Sequence, residues 1–306
     1  MRLIFFIIFT SLALMGSAQG KMIIFACEPE WAALAHEVGG NLVAVISATH
    51  AKQDPHHIEA RPSLIAAARK TDLVIGTGAE LEDGWLPMVL QKANQAKIVK
   101  GQPGYLMVSD FVSLKKYPHH ESATGRIDRA MGDIHAAGNP HIQLDPRFYL
   151  VASKILAQRL GQLDSENANI YQNNYLAFKK KWESKLQHWS KLAHPLKGVK
   201  VVVYHDNWVY LNDWLGLVQV TTLEPKPGIP PSASYLKTVL LKTQQADIKA
   251  ILRTPYEPTD AAKWLNQKTG IPVLELPFTV GGNEQAKDLE GLFDNMIQQL
   301  LLRLNK

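Results

Sequence analysis

An α/β fold of two lobes, each with a mostly parallel sheet flanked by helices and the pair joined by one long rigid helix, is predicted by three features of the sequence. Short apolar runs alternate with helical stretches from residue 21 to residue 163. A second alternation of the same kind begins after Pro195. Between the two, apolar residues recur at spacings of three and four, the mark of a single amphipathic helix.

The chain opens with a charged start, an apolar run over 3–15 and the small residues Gly16, Ser17 and Ala18. This is the pattern of a secretory signal peptide over 1–18, with cleavage expected after Ala18 and a soluble periplasmic product. Cys27, the only cysteine, follows the bulky Phe25 inside a strand-like run, so it reads as a small buried hydrophobe rather than a lipid anchor. With one cysteine there is no intrachain disulfide, and an ordinary core must hold the exported protein together.

The first lobe is assigned to 19–163. Residues 21–26 read as a buried strand, 29–39 as a helix, 41–46 as a strand, 63–70 as a helix and 72–75 as a strand. Gly76-Thr77-Gly78 follows the third of these strands but lacks the third glycine and the chain context of a dinucleotide fingerprint. The connecting helix occupies 164–194: Asp164 caps it, Tyr171, Tyr175, Phe178, Trp182, Leu186, Trp189 and Ala193 form its apolar stripe, and His194-Pro195 ends it. The second lobe, 195–306, has strands expected at 200–204, 217–222, 248–252 and 272–276, with helices from about Ser232, Pro258 and Asn283. Residues 224–231 carry four prolines and form a stiff loop expected to line the cleft.

Composition bounds the function. The 306 residues are 46% hydrophobic and 20% charged with a formal net charge of +5, spread thinly, which does not favour a nucleic-acid partner. The Lys179-Lys180-Lys181 run sits in a helical pattern and reads as a solvated face.

Histidine is the informative residue. Asp54-Pro55 forces an extended or turn conformation, which puts His56 and His57 on a loop after the second strand, and Pro62 fixes the downstream end of that loop at a helix start. Taken alone, the pair fits a solvated surface as well as a metal site. Gly138-Asn139-Pro140-His141 repeats the arrangement just before the helix that Asp145-Pro146 would start. Residues 117–146 otherwise show little apolar periodicity and read as a long loop; His119, His120 and His135 fall in its softer part, where a surface or metal-scavenging role is expected. His205 directly follows the apolar strand at 200–204, at the carboxyl end where parallel sheets place ligand groups, although a core histidine bonded to a carbonyl would look the same.

DPHHIEARPS around His56, GNPHIQLDP around His141 and VVVYHDNWVYLNDWLGL around His205 closely resemble the zinc and manganese substrate-binding proteins of ABC transporters, and the resemblance extends over the whole mature chain. It implies a two-lobed carrier with a rigid helical connector that binds one divalent ion in the interlobe cleft and delivers it to a membrane permease. It also implies His56 and His141 as ligands from the first lobe and His205 from the second, with His57 facing solvent. Many family members supply an aspartate after the strand equivalent to 272–276, but Val280 stands near that place here. Glu284, Glu224, a histidine from 119–135 or water remain as alternatives for the fourth position. The family's long His- and Asp-rich acidic loop is absent, with 117–137 a short substitute at most.

Three neutral imidazoles suit zinc, whereas manganese prefers more carboxylates, so Zn2+ is the expected cargo and Mn2+ the lesser alternative. The expected protein is a monomer and not an enzyme. Three protein ligands with an open position also fit a secreted zinc hydrolase, but no H-E-x-x-H helix is present and no carboxylate is clearly placed as a general base. A metal-binding surface adhesin is the third reading, disfavoured because no lipid-anchor cysteine is found.

Overall fold

The computed structural model describes residues 20–116, 133 and 135–304. The expected leader over 1–18, and His119 and His120, lie outside the described residues. The first lobe runs β1 (Met22–Ala26), α1 (Pro29–Gly39), β2 (Val43–Ser47), α2 (Pro62–Ala68), β3 (Leu73–Gly76), α3 (Leu86–Ala93) and β4 (Tyr105–Met107). Its strands form one parallel sheet in the order β2-β1-β3-β4. β1 and β3 lie inside the sheet with both faces covered, which is why MIIFA and LVIG are continuous apolar runs rather than alternating ones.

α4 (Phe148–Leu163) and α5 (Ala168–Leu192) then lead to the second lobe: β5 (Lys200–Val203), α6 (Val209–Leu215), β6 (Val218–Thr222), α7 (Ala233–Gln244), β7 (Ile248–Arg253), α8 (Asp260–Thr269), β8 (Val273–Glu275) and α9 (Leu289–Leu304). The second sheet, β6-β5-β7-β8, is also wholly parallel and repeats the order of the first. Both sheets therefore reverse direction of winding beside their first strand, and the loops after β1 and β3, and after β5 and β7, open into the crevices where such sheets place ligands.

α5 carries the expected stripe: Tyr171, Tyr175, Phe178, Trp182 and Trp189 are buried along one face. At 1.5 Å per residue it is about 37 Å long. Asp164 does not cap α5, which starts at Ala168 after a 3-10 turn at Ser165–Asn167; its carboxylate accepts from the Tyr171 hydroxyl at 2.7 Å and the Asn167 side-chain amide at 2.8 Å. A single apolar core runs from β1 and α1 through α4, α5 and α9 to β5 and β7, so the lobes share an interior. Lys181 reaches Glu37 of α1 and Glu290 of α9, and Lys185 reaches Glu290 and Asp294, pinning the polar edge of α5 to both neighbours.

Three elements were not anticipated: β4, α3 and α6. All are short, three to eight residues, and too brief for a period to register. The last helix begins at Leu289 rather than near Asn283. The Asn283 side chain caps its own turn, accepting from the Gln285 and Ala286 amides, and Asp288 takes the capping role at α9 by accepting from Gly291 N–H at 2.7 Å. Among the described residues no helix is long and apolar enough to cross a membrane.

Candidate metal centre

His56, His141 and His205 converge between the lobes, one ring nitrogen of each lying within 4.8 Å of the other two. Ring centroids are separated by 5.3 Å for His56 and His141, 5.9 Å for His56 and His205, and 5.5 Å for His141 and His205.

The two first-lobe histidines are mounted by the same device. In Asp54-Pro55-His56 the Asp54 Oδ1 accepts from the His56 backbone N–H at 3.0 Å and lies 2.8 Å from its Nδ1. In Asn139-Pro140-His141 the Asn139 Oδ1 accepts from the His141 N–H at 3.0 Å and lies 2.9 Å from its Nδ1. An Asx residue two positions before a histidine, with proline holding the turn between them, thus orients both the backbone and the ring. The first turn is tied down by Trp85, whose Nε1–H donates to the Pro55 carbonyl at 3.2 Å. Gly138 precedes the second at φ 127°, where a Cβ would come within 2.9 Å of Leu114 and Lys115.

His205 follows β5, and its Nδ1 lies 2.7 Å from Glu224 Oε2 in the proline-rich loop after β6. Every Nδ1 of the triad is therefore occupied. The Nε2 atoms of His56, His141 and His205 are all buried and have no hydrogen-bond partner among the described residues. Buried polar atoms are rarely left so, and three imidazole nitrogens this close together could hold a metal ion.

Electrostatics separates the rings. His141 is fully buried, and burial, followed by the neighbouring His56, His205 and His135, pushes its pKa well below 6.5. His205 is pushed the same way by burial, but the Glu224 hydrogen bond and charge, with Glu257 and Asp206, more than offset it and raise the pKa to about 9. Burial also opposes the charged form of Asp54, yet the hydrogen bond and charge of His56 bring its pKa down to about 2.

The remaining sequence expectations fall out unevenly. His57 is 66% exposed, with its Nε2 3.4 Å from Asp133, consistent with the solvent-facing position expected of it. Glu224 is an orienting partner of His205. Glu284 is exposed, because the capped turn at 283–286 aims it outward. His135, expected in a surface or metal-scavenging role, is not on the surface: it is buried with its ring 5.2 Å from His56, and the neighbouring Ala136 N–H donates to Glu80 at 3.0 Å. Phe278, two residues before Val280, lies 5.7 Å from the His141 ring and closes that side with carbon. The roles of Asn139, Glu80 and Phe278 were missed. For Asn139 the signal was present, since Asx-Pro-His occurs at both first-lobe ligand candidates.

A second buried group lies at the crevice of the first sheet, where Cys27, Glu28 and Glu82 approach one another. Cys27 is buried as expected, but among carboxyl groups. Glu82 accepts from the Thr77 and Gly78 amides, and Glu28 from Thr77, while Glu28 Oε1 has no hydrogen-bond partner among the described residues. Burial raises the pKa of Glu82 to about 7 and that of Glu28 well above the usual range, with Glu82 and Glu30 adding to the latter. Raised carboxyl pKa values mean the folded state holds protons that the unfolded chain has lost, so this cluster's contribution to stability declines as pH rises from about 4.5 to about 7. Glu28→Gln, which cannot ionise, should flatten that decline and leave the variant more stable than the parent near pH 8. Denaturant unfolding of both proteins from pH 5 to pH 8 checks this, and parallel pH profiles would contradict it.

Comparison with known proteins agrees with the architecture. The family described as "Zinc-uptake complex component A periplasmic" matches residues 24–301. The manganese ABC transporter substrate-binding lipoprotein PsaA of Streptococcus pneumoniae is 21% identical over 299 residues, covering 95% of this chain and 91% of that protein. The metal ABC transporter substrate-binding lipoprotein SloC of Streptococcus mutans is 22% identical, covering 86% and 82%. Among solved structures, a crystal structure of ZnuA superposes with a TM-score of 0.73 at 23% identity, covering 91% of this chain and 98% of that one.

Proposed function

The chain belongs to the zinc/manganese family of ABC-transporter substrate-binding proteins, and from that premise we propose that it captures Zn2+ with His56, His141 and His205 and delivers it to a membrane permease. The observation that carries this reading is the set of three buried, unpartnered Nε2 atoms, each ring held by an acceptor at its Nδ1. A hydrogen bond at one imidazole nitrogen leaves the other as the ligand atom and holds the ring in place. We assign the fourth position to His135, on the strength of its burial and its position beside His56.

Nitrogen donors support zinc. Asp54 and Glu224 are engaged by imidazoles, and Phe278 covers the His141 side of the site with carbon. Manganese is the second reading, favoured by the names of the streptococcal relatives. Export by the leader over 1–18 and a soluble, monomeric state in the periplasm belong to the same proposal. Lipid attachment at Cys27 would require cleavage before it and loss of β1, a central strand, which argues for an unanchored protein.

The test is titration of purified, chelator-treated protein with zinc and with manganese, alongside thermal unfolding. Zinc at about 100 times its dissociation constant should add about 2.7 kcal/mol to stability, and chelator should reverse the gain. A melting temperature indifferent to zinc, or zinc-dependent turnover of esters, peptides or phosphates, would overturn the reading in favour of another function.

A further inference from the structure

Asn139 is wholly buried where the lobes meet, and each of its polar groups is engaged. Its backbone N–H donates to the Lys115 carbonyl at 2.8 Å, and its carbonyl accepts from the Tyr210 hydroxyl at 2.6 Å. Oδ1 accepts from the His141 backbone and faces its Nδ1, while Nδ2 donates across the cleft to the Asp206 carbonyl at 2.6 Å. The orientation of the carboxamide is unambiguous: a backbone N–H can only donate to the oxygen, and a carbonyl can only accept from the nitrogen.

Asp206 is the residue directly after His205. One planar carboxamide therefore spans from the His141 ring in the first lobe to the backbone beside His205 in the second. Bond lengths and two hydrogen bonds set the spacing of these imidazoles without any cation. Widening the gap would strand a buried amide donor and a buried carbonyl, a cost that makes the spacing stiff. A stiff set of nitrogen donors favours a small cation with four bonds of about 2.0–2.1 Å and disfavours one that needs more, oxygen-rich ligands.

We propose that Asn139 is a positioning residue whose Nδ2 bond to Asp206 holds His141 and His205 at a fixed spacing and thereby sets which divalent cation the site accepts. The inference rests on the reading that the triad holds a divalent cation.

Asn139→Asp separates the two roles of the side chain. It keeps an acceptor for the His141 N–H and Nδ1–H but sets an oxygen against the Asp206 carbonyl. Its added charge attracts every dication alike, so the ratio of zinc to manganese affinity is the readout. Both Asn139→Asp and Asn139→Ala should lower that ratio, by about tenfold or more if the loss falls on zinc, since removing a partner behind a ligand costs about 10–100-fold in metal affinity. The visible absorption of the Co2+-loaded protein should lose intensity as the four-coordinate geometry relaxes. Tyr210→Phe is the control: it removes the hydroxyl that joins Lys115 and the Asn139 backbone but leaves the carboxamide, and should lower the melting temperature while keeping the parent's ratio. An Asn139→Asp protein with the parent's ratio and cobalt spectrum, or a Tyr210→Phe protein whose ratio falls equally, would overturn the proposal. Should the Asn139 variants fail to fold, the parent still decides: its Asn139 side-chain amide protons should resist hydrogen exchange before zinc is added, and fast exchange would overturn the proposal. A parent that binds no dication would instead sink the carrier reading itself.

Discussion

Replacing His205 with alanine is expected to weaken zinc binding by more than about 100-fold, since partners behind the ligands are themselves worth about 10–100-fold and a donor should be worth more. His205 is the second lobe's contribution to the triad, so its loss leaves His56 and His141, both mounted on the first lobe. It also leaves the Glu224 carboxylate without the imidazole it holds at 2.7 Å. Glu224→Gln should therefore show a smaller loss, of about 10–100-fold, because it leaves the donor in place and loosens only its mounting. His57→Ala should stay within about threefold of the parent, as that ring is largely in solvent. Competition titration against a zinc chelator ranks the three, and a His205→Ala protein that binds like the parent would remove the interlobe site from consideration.

The second large effect concerns α5. Trp182→Ala should lower unfolding free energy by about 3–5 kcal/mol, the range for truncating a large buried aromatic. Trp182 has no solvent exposure and touches four other rings: Phe178 stacked at 5.2 Å, Trp189 at 5.1 Å, Tyr149 at 5.3 Å and Phe293 at 5.9 Å. These rings come from α4, α5 and α9. Its Nε1–H also donates to the Pro146 carbonyl at 2.6 Å, so alanine would leave a cavity and an unsatisfied buried acceptor together. Phe178→Leu, nearer in volume, should cost less than the tryptophan truncation. Equilibrium unfolding in denaturant measures both, and a loss under about 1 kcal/mol for Trp182→Ala would show that the cavity collapses and that the stripe is not what joins the lobes.

The sequence carried the architecture through patterns that extend over many residues. The aromatic stripe of α5 and the apolar runs of β1, β3, β5 and β7 are set by which side chains must leave water, and that demand is written in their order along the chain. It also marked His56, His141 and His205, because a strand end or a proline-held turn is a local feature. The Asx-Pro-His repetition at 54–56 and 139–141 further encoded how two of the rings are oriented, since that bond closes within three residues.

Contacts between distant residues were another matter. That Glu224 would sit against the His205 Nδ1, that His135 would lie beside His56, and that Phe278 would cover His141 all depend on loops from different strands meeting at the cleft. Local propensity has nothing to say about such meetings. The same holds for the carboxyl groups of Glu28 and Glu82, which are 54 positions apart and face each other only because β1 and β3 are neighbours in the sheet. Asn139 shows both kinds of determination in one side chain: its bond to His141 follows from the sequence, while its bond to Asp206 exists only once the lobes have packed, because hydrogen bonding between residues so far apart is decided by the shared core that brings their backbones together.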